Sequence, residues 1–489
     1  MSKQYRSTRM ARPQLFLLPP SLDEFVPTDS PVRLFCEIVD ELDLDVLVLD
    51  RSNVSRGSGC GAPGYDPRLL FKVLAFAYSE GLRSSRRIET AVRFDMRYMW
   101  LAEMTPLDHV TLCRFRKENA EVFRALFRET VTLCRSLGLV LLREVAVDGT
   151  KLEADVSGRE TFGENRLTEE EARLDAVIGR IMQEADKADR ASSPTNRLVN
   201  GADGPVRAPD GPVSEEFLVA EIPEELRDAK RRKERIQKAR EEMERSGRSA
   251  VAATDPESRV MKVDGRRRPA YNAQAAVDGA HQVIIAADVT QDENDSAQLP
   301  PMLNLVQEIL EVKLADSKTL ALADAGYWSQ PTLAWIEREN VNAYIRDIKA
   351  GVHNRPDTHA EYTYDETEDR FVGEGRLLTF WKEREQKGRH YRVYRDRNRQ
   401  TGVRKKELWV RIGDEWTSRM REKLATEEGQ AIYRRRQEIV EPVFGHMKVA
   451  YNLRRLLLRG LKGARTEFLL ACIAHNLGKI RTICPTPAR

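Results

Sequence analysis

An α/β fold is what the sequence predicts: a mixed sheet with helices on its faces, interrupted twice and preceded by an all-α N-terminal region. Three observations predict it. Short apolar runs, residues 143–148 and 320–324, end abruptly on an acid and have the length and small or β-branched content of buried strands. Segments with helical spacing, near 297–312 and 330–339, alternate with further strand-like runs at 270–277, 281–289 and 341–346. Two stretches of different character, one charged and helical and one polar and aromatic-dotted, break the series and read as insertions into the sheet.

The composition allows such a fold and narrows the function. A chain of 489 residues with 41% hydrophobic content holds ample material for two to four domains. No apolar run reaches the roughly 18 residues of a membrane span, and no hydrophobic signal region stands near the start, so a cytoplasmic protein without membrane contact is expected. Cys36, Cys60, Cys113, Cys134, Cys472 and Cys484 are scattered without a C-x-x-C pair, which argues for reduced thiols and against a zinc ribbon. The net charge of +3 hides an asymmetry. Residues 431–465 carry nine cations against two acids, and residues 83–117 carry eight against four. Charge runs are commonly solvated faces, but these flank the features described next, and a phosphate-backbone footprint is the better reading.

Residues 1–138 read as helical. The first 20 residues are basic, either an arm or a frayed end. Gly59, Gly61 and Gly64 form a nominal G-x-G-x-x-G, but no strand precedes it and Pro63 sits inside it, so it reads as a loop. Asp66-Pro67 is a helix start, with Leu69, Leu70, Val73, Leu74 and Ala77 on its apolar face and Gly81 at its end. Ser84 or Ser85 opens a second helix, residues 96–106 form a tight connection, and Asp108 or Thr111 starts a short basic helix. Short helices with a basic last member suggest a helix-turn-helix in which Arg114, Arg116 and Lys117 face DNA. A structural bundle with its charges in water is the plain alternative.

The core occupies 139–155 and 250–349. Its first strand ends on Asp148, and its fourth, ending on Asp324, is expected beside the first. Between them, 156–249 reads as a helical hairpin or short coiled-coil arm, with Leu174, Val177, Ile178 and Ile181 on one helix and Leu226, Ala229, Ile236 and Met243 on the other. Residues 350–428 form the polar, β-prone insertion, and residues 429–489 are helical, with a long basic helix from about 431 that carries Glu441.

Asp148, Asp324 and Glu441 carry the chemistry. A carboxylate at the tip of a buried strand is poorly solvated and repels its neighbours, so it persists when a cation binds it. Hard oxygen donors of this kind suit two Mg²⁺ or Mn²⁺ ions, and such pairs cut and join phosphodiesters. The modest alternative is that Asp-Gly and Asp-Ala-Gly simply close strands at turns.

With these residues in hand, the chain resembles the DDE transposases of bacterial insertion sequences, whose catalytic core is RNase H-like. The resemblance rests on Asp148-Gly-Thr-Lys151, Tyr271-Asn272 with Gln274, Asp324-Ala-Gly-Tyr327 and Glu441-Pro-Val-Phe444, with 65–116 similar to the family's N-terminal helical part. It implies binding of the double-stranded DNA ends of a mobile element, metal-dependent strand cleavage and strand transfer, and a homodimer that holds two ends. It also implies that Asp148 bridges two metal ions while Asp324 and Glu441 hold one each. Lys448 keeps the family's spacing from Glu441, whereas Tyr433 and Arg436 sit one residue farther away than the pattern has them. Arg436, Lys448, Arg454 and Arg455 are expected to contact DNA. Residues 390–399 lack the cysteines many relatives carry there, so no zinc is expected in that insertion. Two other classes remain open: an RNase H-like nuclease that does not rejoin strands, and a non-catalytic DNA-binding protein.

Overall fold

The computed structural model describes residues 21–44, 65–157, 160–192, 224–347, 362–365, 367–373, 376–386, 389–396, 407–411 and 414–484. The N-terminal arm, the glycine-rich loop at 57–64 and the Gly/Pro stretch at 200–213 lie outside them. The chain divides into two compact units, one of residues 1–150, 272–457 and 465–489, the other of 151–271 and 458–464.

The first unit begins with helices. After α1 (Pro31–Asp40), α2 (Pro67–Ser79) starts as its Asp66-Pro67 signal requires: the Asp66 carboxylate accepts from Arg68 N at 2.8 Å. Eight of its residues, Leu70, Phe71 and Val73 through Tyr78, are buried, as expected of a helix apolar nearly all round. Phe76 meets Phe35 edge-on at 5.3 Å and Tyr98 at 5.1 Å. α3 (Ser85–Phe94) follows the left-handed Gly81. The stretch expected as a connection contains a further short helix, α4 (Met96–Leu101), capped by Asp95. Burial of Tyr98 and Leu101 makes it fold, a tertiary effect that local spacing does not reveal. α5 (His109–Glu118) is capped by Asp108, and α6 (Ala120–Ser136) leads to the sheet.

The strands are β1 (Glu144–Glu153), β5 (Arg266–Asp278), β6 (Ile284–Thr290), β7 (Leu320–Ala323) and β8 (Ala343–Ile345). Their order in the sheet is β5-β1-β7-β8, with β6 antiparallel to β5 and both β1–β7 and β7–β8 parallel. The expected neighbour relation of the first and fourth core strands is present, in the register Val147↔Ala323. A mixed sheet with helices of this kind fits the RNase H-like architecture. The connecting helices are α9 (Leu299–Leu310) and α10 (Gln330–Arg338), and the chain closes with α11 (Asp414–Ala425), α12 (Glu427–Val449) and α13 (Gly460–Ile483). Two side chains of the last helix bond the edge of β6: Asn476 accepts from Ile284 N at 2.9 Å and donates to Ile284 O at 2.8 Å, as a neighbouring strand would, and Arg465 donates to Val289 O at 3.1 Å.

α12 contains Pro442, which removes the backbone donor that the carbonyl of Glu438 would otherwise receive. Gln282 replaces it, donating from Nε2 to Glu438 O at 3.0 Å. Gln282 sits at φ 59° in the β5–β6 turn, and its Oε1 accepts from Lys479 Nζ at 2.9 Å. One turn residue therefore ties the glutamate-bearing helix to the sheet. Gln282→Ala is expected to lower stability by about 0.5–1.5 kcal/mol, read by urea unfolding, because it removes the bonds to Glu438 O and Lys479.

The polar insertion is a five-stranded antiparallel meander: β9 (Thr363–Asp365), β10 (Arg370–Gly373), β11 (Arg376–Gln386), β12 (Arg389–Asp396) and β13 (Glu407–Arg411). Tyr362, Phe371, Leu378, Tyr394 and Leu408 form its small core.

The second unit holds α7 (Glu164–Ser192) and α8 (Glu224–Ser246), with β2 (Thr161–Phe162), β3 (Val251–Ala252) and β4 (Arg259–Val263), the last pairing with Arg266–Ala270 of β5. Leu174 packs with Ala229, Ile236 and Met243, the residues their spacing predicts, and Arg232–Glu170 and Arg240–Glu171 ion pairs join the two helices. β4 was not legible, its alternation being masked by the charged residues around it.

Candidate active site

Asp148 and Asp324 follow directly on the paired residues Val147 and Ala323, so two carboxylates stand at the same level on adjacent parallel strands. Asp324 caps the turn after β7, accepting from Gly326 N at 2.8 Å. Asp148 accepts from Gly149 N at 2.8 Å. Burial pushes the Asp148 carboxyl up to about 6; the Gly149 N–H and Arg436 oppose the shift, and the charges of Asp324 and Asp295 add to it.

α12 supplies the rest. Arg436 is buried, with its guanidinium 3.2 Å from Asp148 Oδ2 and 3.6 Å from Glu441 Oε1. It therefore links a strand-borne aspartate to the glutamate, whose side chain remains 55% exposed. Tyr433, one turn earlier, is half-buried, bonds to Arg436 and senses Asp324; burial raises its hydroxyl. The extra residue between Arg436 and Glu441 does not take Tyr433 or Arg436 away from the acids. The neighbouring Arg435 pairs with Glu144 at 2.5 Å.

A residue that sequence reasoning passed over joins them. Asp295 Oδ1 accepts from Asn272 Nδ2 at 2.6 Å and Gln274 Nε2 at 2.7 Å. Both amides are buried on one face of β5, and Tyr327 donates to Gln274 Oε1. The available signal was the pair Asn272 and Gln274, polar residues two apart on a strand with buried neighbours.

Residues 225–477, just over half of the chain, match the family model described as Transposase DDE domain, and residues 20–118 match one described as Transposase domain (DUF772). The chain belongs to the DDE transposases of insertion elements. The longer match includes Asp324 and Glu441, and Asp148 precedes it. A comparison with individually curated proteins found no match.

In this DDE transposase, Arg114 and Lys117 lie exposed on α5. Arg116 corrects the expectation of a DNA-facing residue. Its side chain is 2% exposed, and its guanidinium donates to Tyr78 Oη at 3.0 Å, Arg83 O at 2.9 Å and Ser85 Oγ at 2.5 Å. A guanidinium buried against internal acceptors is not presented to a phosphate. On and after α12, Lys448 is half-buried while Arg454 and Arg455 are exposed. His446 packs edge-on against Tyr451 at 4.8 Å and stays outside the site.

The donor chemistry of the transposase suits a hard divalent cation, the class of ion DDE transposases generally use: the acids are all oxygen donors, and they repel one another without a positive partner. Among the described residues, however, no three His, Cys, Asp or Glu side chains are arranged to hold an ion. The positive charge in the site belongs to Arg436. No helix among the described residues is long and apolar enough to cross a membrane.

Proposed function

We propose that this transposase binds the double-stranded DNA ends of its mobile element and cuts and joins DNA strands at Asp148, Asp324 and Glu441. The observation that carries the reading is the β1–β7 register, which sets the two aspartates level, together with Arg436 reaching both Asp148 and Glu441. Mg²⁺ or Mn²⁺, as two ions, would lower the pKa of an attacking water and stabilise the leaving 3′-oxygen. Asp148 would hold both, with Asp324 and Glu441 holding one each. Once the carboxylates are neutralised in this way, Arg436 becomes available to a DNA phosphate beside the cut, with Lys448 farther along the same helix. Arg454 and Arg455 extend this basic track, while Arg114 and Lys117, without Arg116, form the exposed cationic face of the helix-turn-helix region. The domain assignment that accompanies this reading gives residues 1–138 to end recognition and both insertions to auxiliary roles. A homodimer in the cytoplasm, pairing two ends, completes it.

A supercoiled plasmid bearing the element's terminal inverted repeats, incubated with protein and Mg²⁺, tests the proposal. Cleavage with joining is the expected result. Cleavage alone would assign a nuclease, and retarded migration without cutting would assign a binding protein.

A further inference from the structure

We infer that Gln274 is a positioning residue, a brace that passes over Gly149 and ties the turn after Asp324 to the strand that carries Asp148. Its role in cleavage rests on the reading of those two aspartates as acids that cut DNA.

The path of the brace follows from the sheet order. β1 lies between β5 and β7. Neighbouring strands are about 4.8 Å apart, so a residue of β5 and one beyond β7 are separated by about twice that distance. Gln274 on β5 and Tyr327 after β7 nevertheless meet: the Tyr327 hydroxyl donates to Gln274 Oε1. Gly149 on β1 leaves the gap they need. A Cβ there would lie 2.3 Å from Gln274 Nε2, closer than a real Cβ comes, and 3.1 Å from Asn272 Oδ1. Glycine lets the amide lie directly against the β1 backbone.

Both ends of the brace are fixed. Tyr327 belongs to the turn that Asp324 caps: its N–H donates to Asp324 O at 3.2 Å, while Asp324 Oδ1 accepts from Gly326 N at 2.8 Å. Gln274 Nε2 donates to Asn272 Oδ1 at 2.9 Å and Asp295 Oδ1 at 2.7 Å, which sets its oxygen towards the tyrosine. Gln274 is 1% exposed and Tyr327 0%. Two apolar side chains of the same shape would fill this space with no polar atoms to satisfy. The buried hydrogen bond adds a fixed direction that apolar packing does not.

Tyr327→Phe removes the link at one end and alters nothing on β1. Deuterium exchange of the metal-free, full-length protein, followed by mass spectrometry, should nevertheless speed up about fivefold in residues 145–151 as well as in 324–328. Single-turnover cleavage of a DNA end, with Mg²⁺ and protein in excess, should slow about tenfold or more, while the Kd for that DNA without metal stays the same. Gln274→Met, which removes the brace and keeps its length, should act alike, and the two substitutions together should cost no more than Gln274→Met alone. Wild-type exchange at 145–151 in Tyr327→Phe, or an undiminished cleavage rate, overturns the brace; if Asp148→Asn has lost cutting, the reading of the acids stands. A wild-type protein that does not cut, or Asp148→Asn that cuts at the wild-type rate, overturns that reading and with it the task given to Gln274. Should Gln274→Met not fold, Tyr327→Phe alone decides.

Discussion

Asp148→Asn is expected to abolish the proposed DNA strand cleavage and, in the absence of metal, to make the protein more stable at neutral pH. The two effects share one cause. The folded protein holds the Asp148 carboxyl at about 6, against 3.8 for an ordinary aspartate, mainly because burial disfavours its charge. A folded-state value above the unfolded one means that the native protein binds the proton more tightly. The charge therefore costs nothing below about pH 4, costs progressively more from about 4 to 6, and costs its full amount above that range. Asparagine has nearly the same shape and never ionises. Its gain at pH 7.5 should be about 1–3 kcal/mol, and the gap to wild type should close as the pH approaches 4. Urea unfolding at both pH values, beside a plasmid-nicking assay, reads both effects. Residual cutting by the variant, or a loss of stability at pH 7.5, would show that Asp148 has been assigned the wrong task.

Breaking the Arg83–Glu467 pair should produce the largest loss of stability in the first unit. Arg83 follows α2, Glu467 lies on α13, and their side chains are 6% and 0% exposed, 2.6 Å apart. Arg83 also donates to Asn452 O at 2.5 Å and Arg455 O at 2.9 Å, while Glu467 accepts from Leu457 N at 2.7 Å. The pair thereby pins the segment that leaves the glutamate-bearing helix against the N-terminal helices. Gly81 packs into the same junction, where a Cβ would sit 2.4 Å from Ala450 O. Removing one partner strands a buried charge, so Glu467→Ala or Arg83→Ala should each cost about 3–5 kcal/mol, whereas Arg83→Met with Glu467→Leu should recover much of the loss. Denaturant midpoints of the two single variants and the double variant measure this. Equal losses in all three would mean that the contact is not electrostatic.

The chain itself made the centre of the sheet legible. An apolar run ending on an acid is a strong local signal, and two such runs in an α/β series predicted the β1–β7 neighbours and their level aspartates. The apolar faces of α7 and α8 were readable for the same reason, since their partners in packing are each other. Failures came where an outcome depended on distant atoms. Arg116 looks like its exposed neighbours Arg114 and Lys117 in sequence; only the positions of Tyr78, Arg83 and Ser85 turn it inward. α4 exists because two side chains find a core. Asp295 stands in Asp292-Glu-Asn-Asp295, which reads as an ordinary solvated loop, and the amides that single it out are about 20 positions earlier in the chain. Arg436 and Glu441 are five apart, off the three- and four-residue spacing of helix neighbours, yet the long guanidinium still comes within 3.6 Å of the carboxylate, so the additional residue is absorbed.

The three acids of the proposed site come from positions 148, 324 and 441, and the segment after the glutamate-bearing helix is held by residue 467 through Leu457 N. At about 5–20 residues per second, a ribosome needs on the order of 15–60 s to travel from the first acid to the third. A chain abandoned between residues 325 and 435 contains both aspartates but neither Arg436 nor Glu441. If these acids cut DNA as proposed, incomplete translation products are expected to be inert, with cutting possible only when synthesis is almost finished.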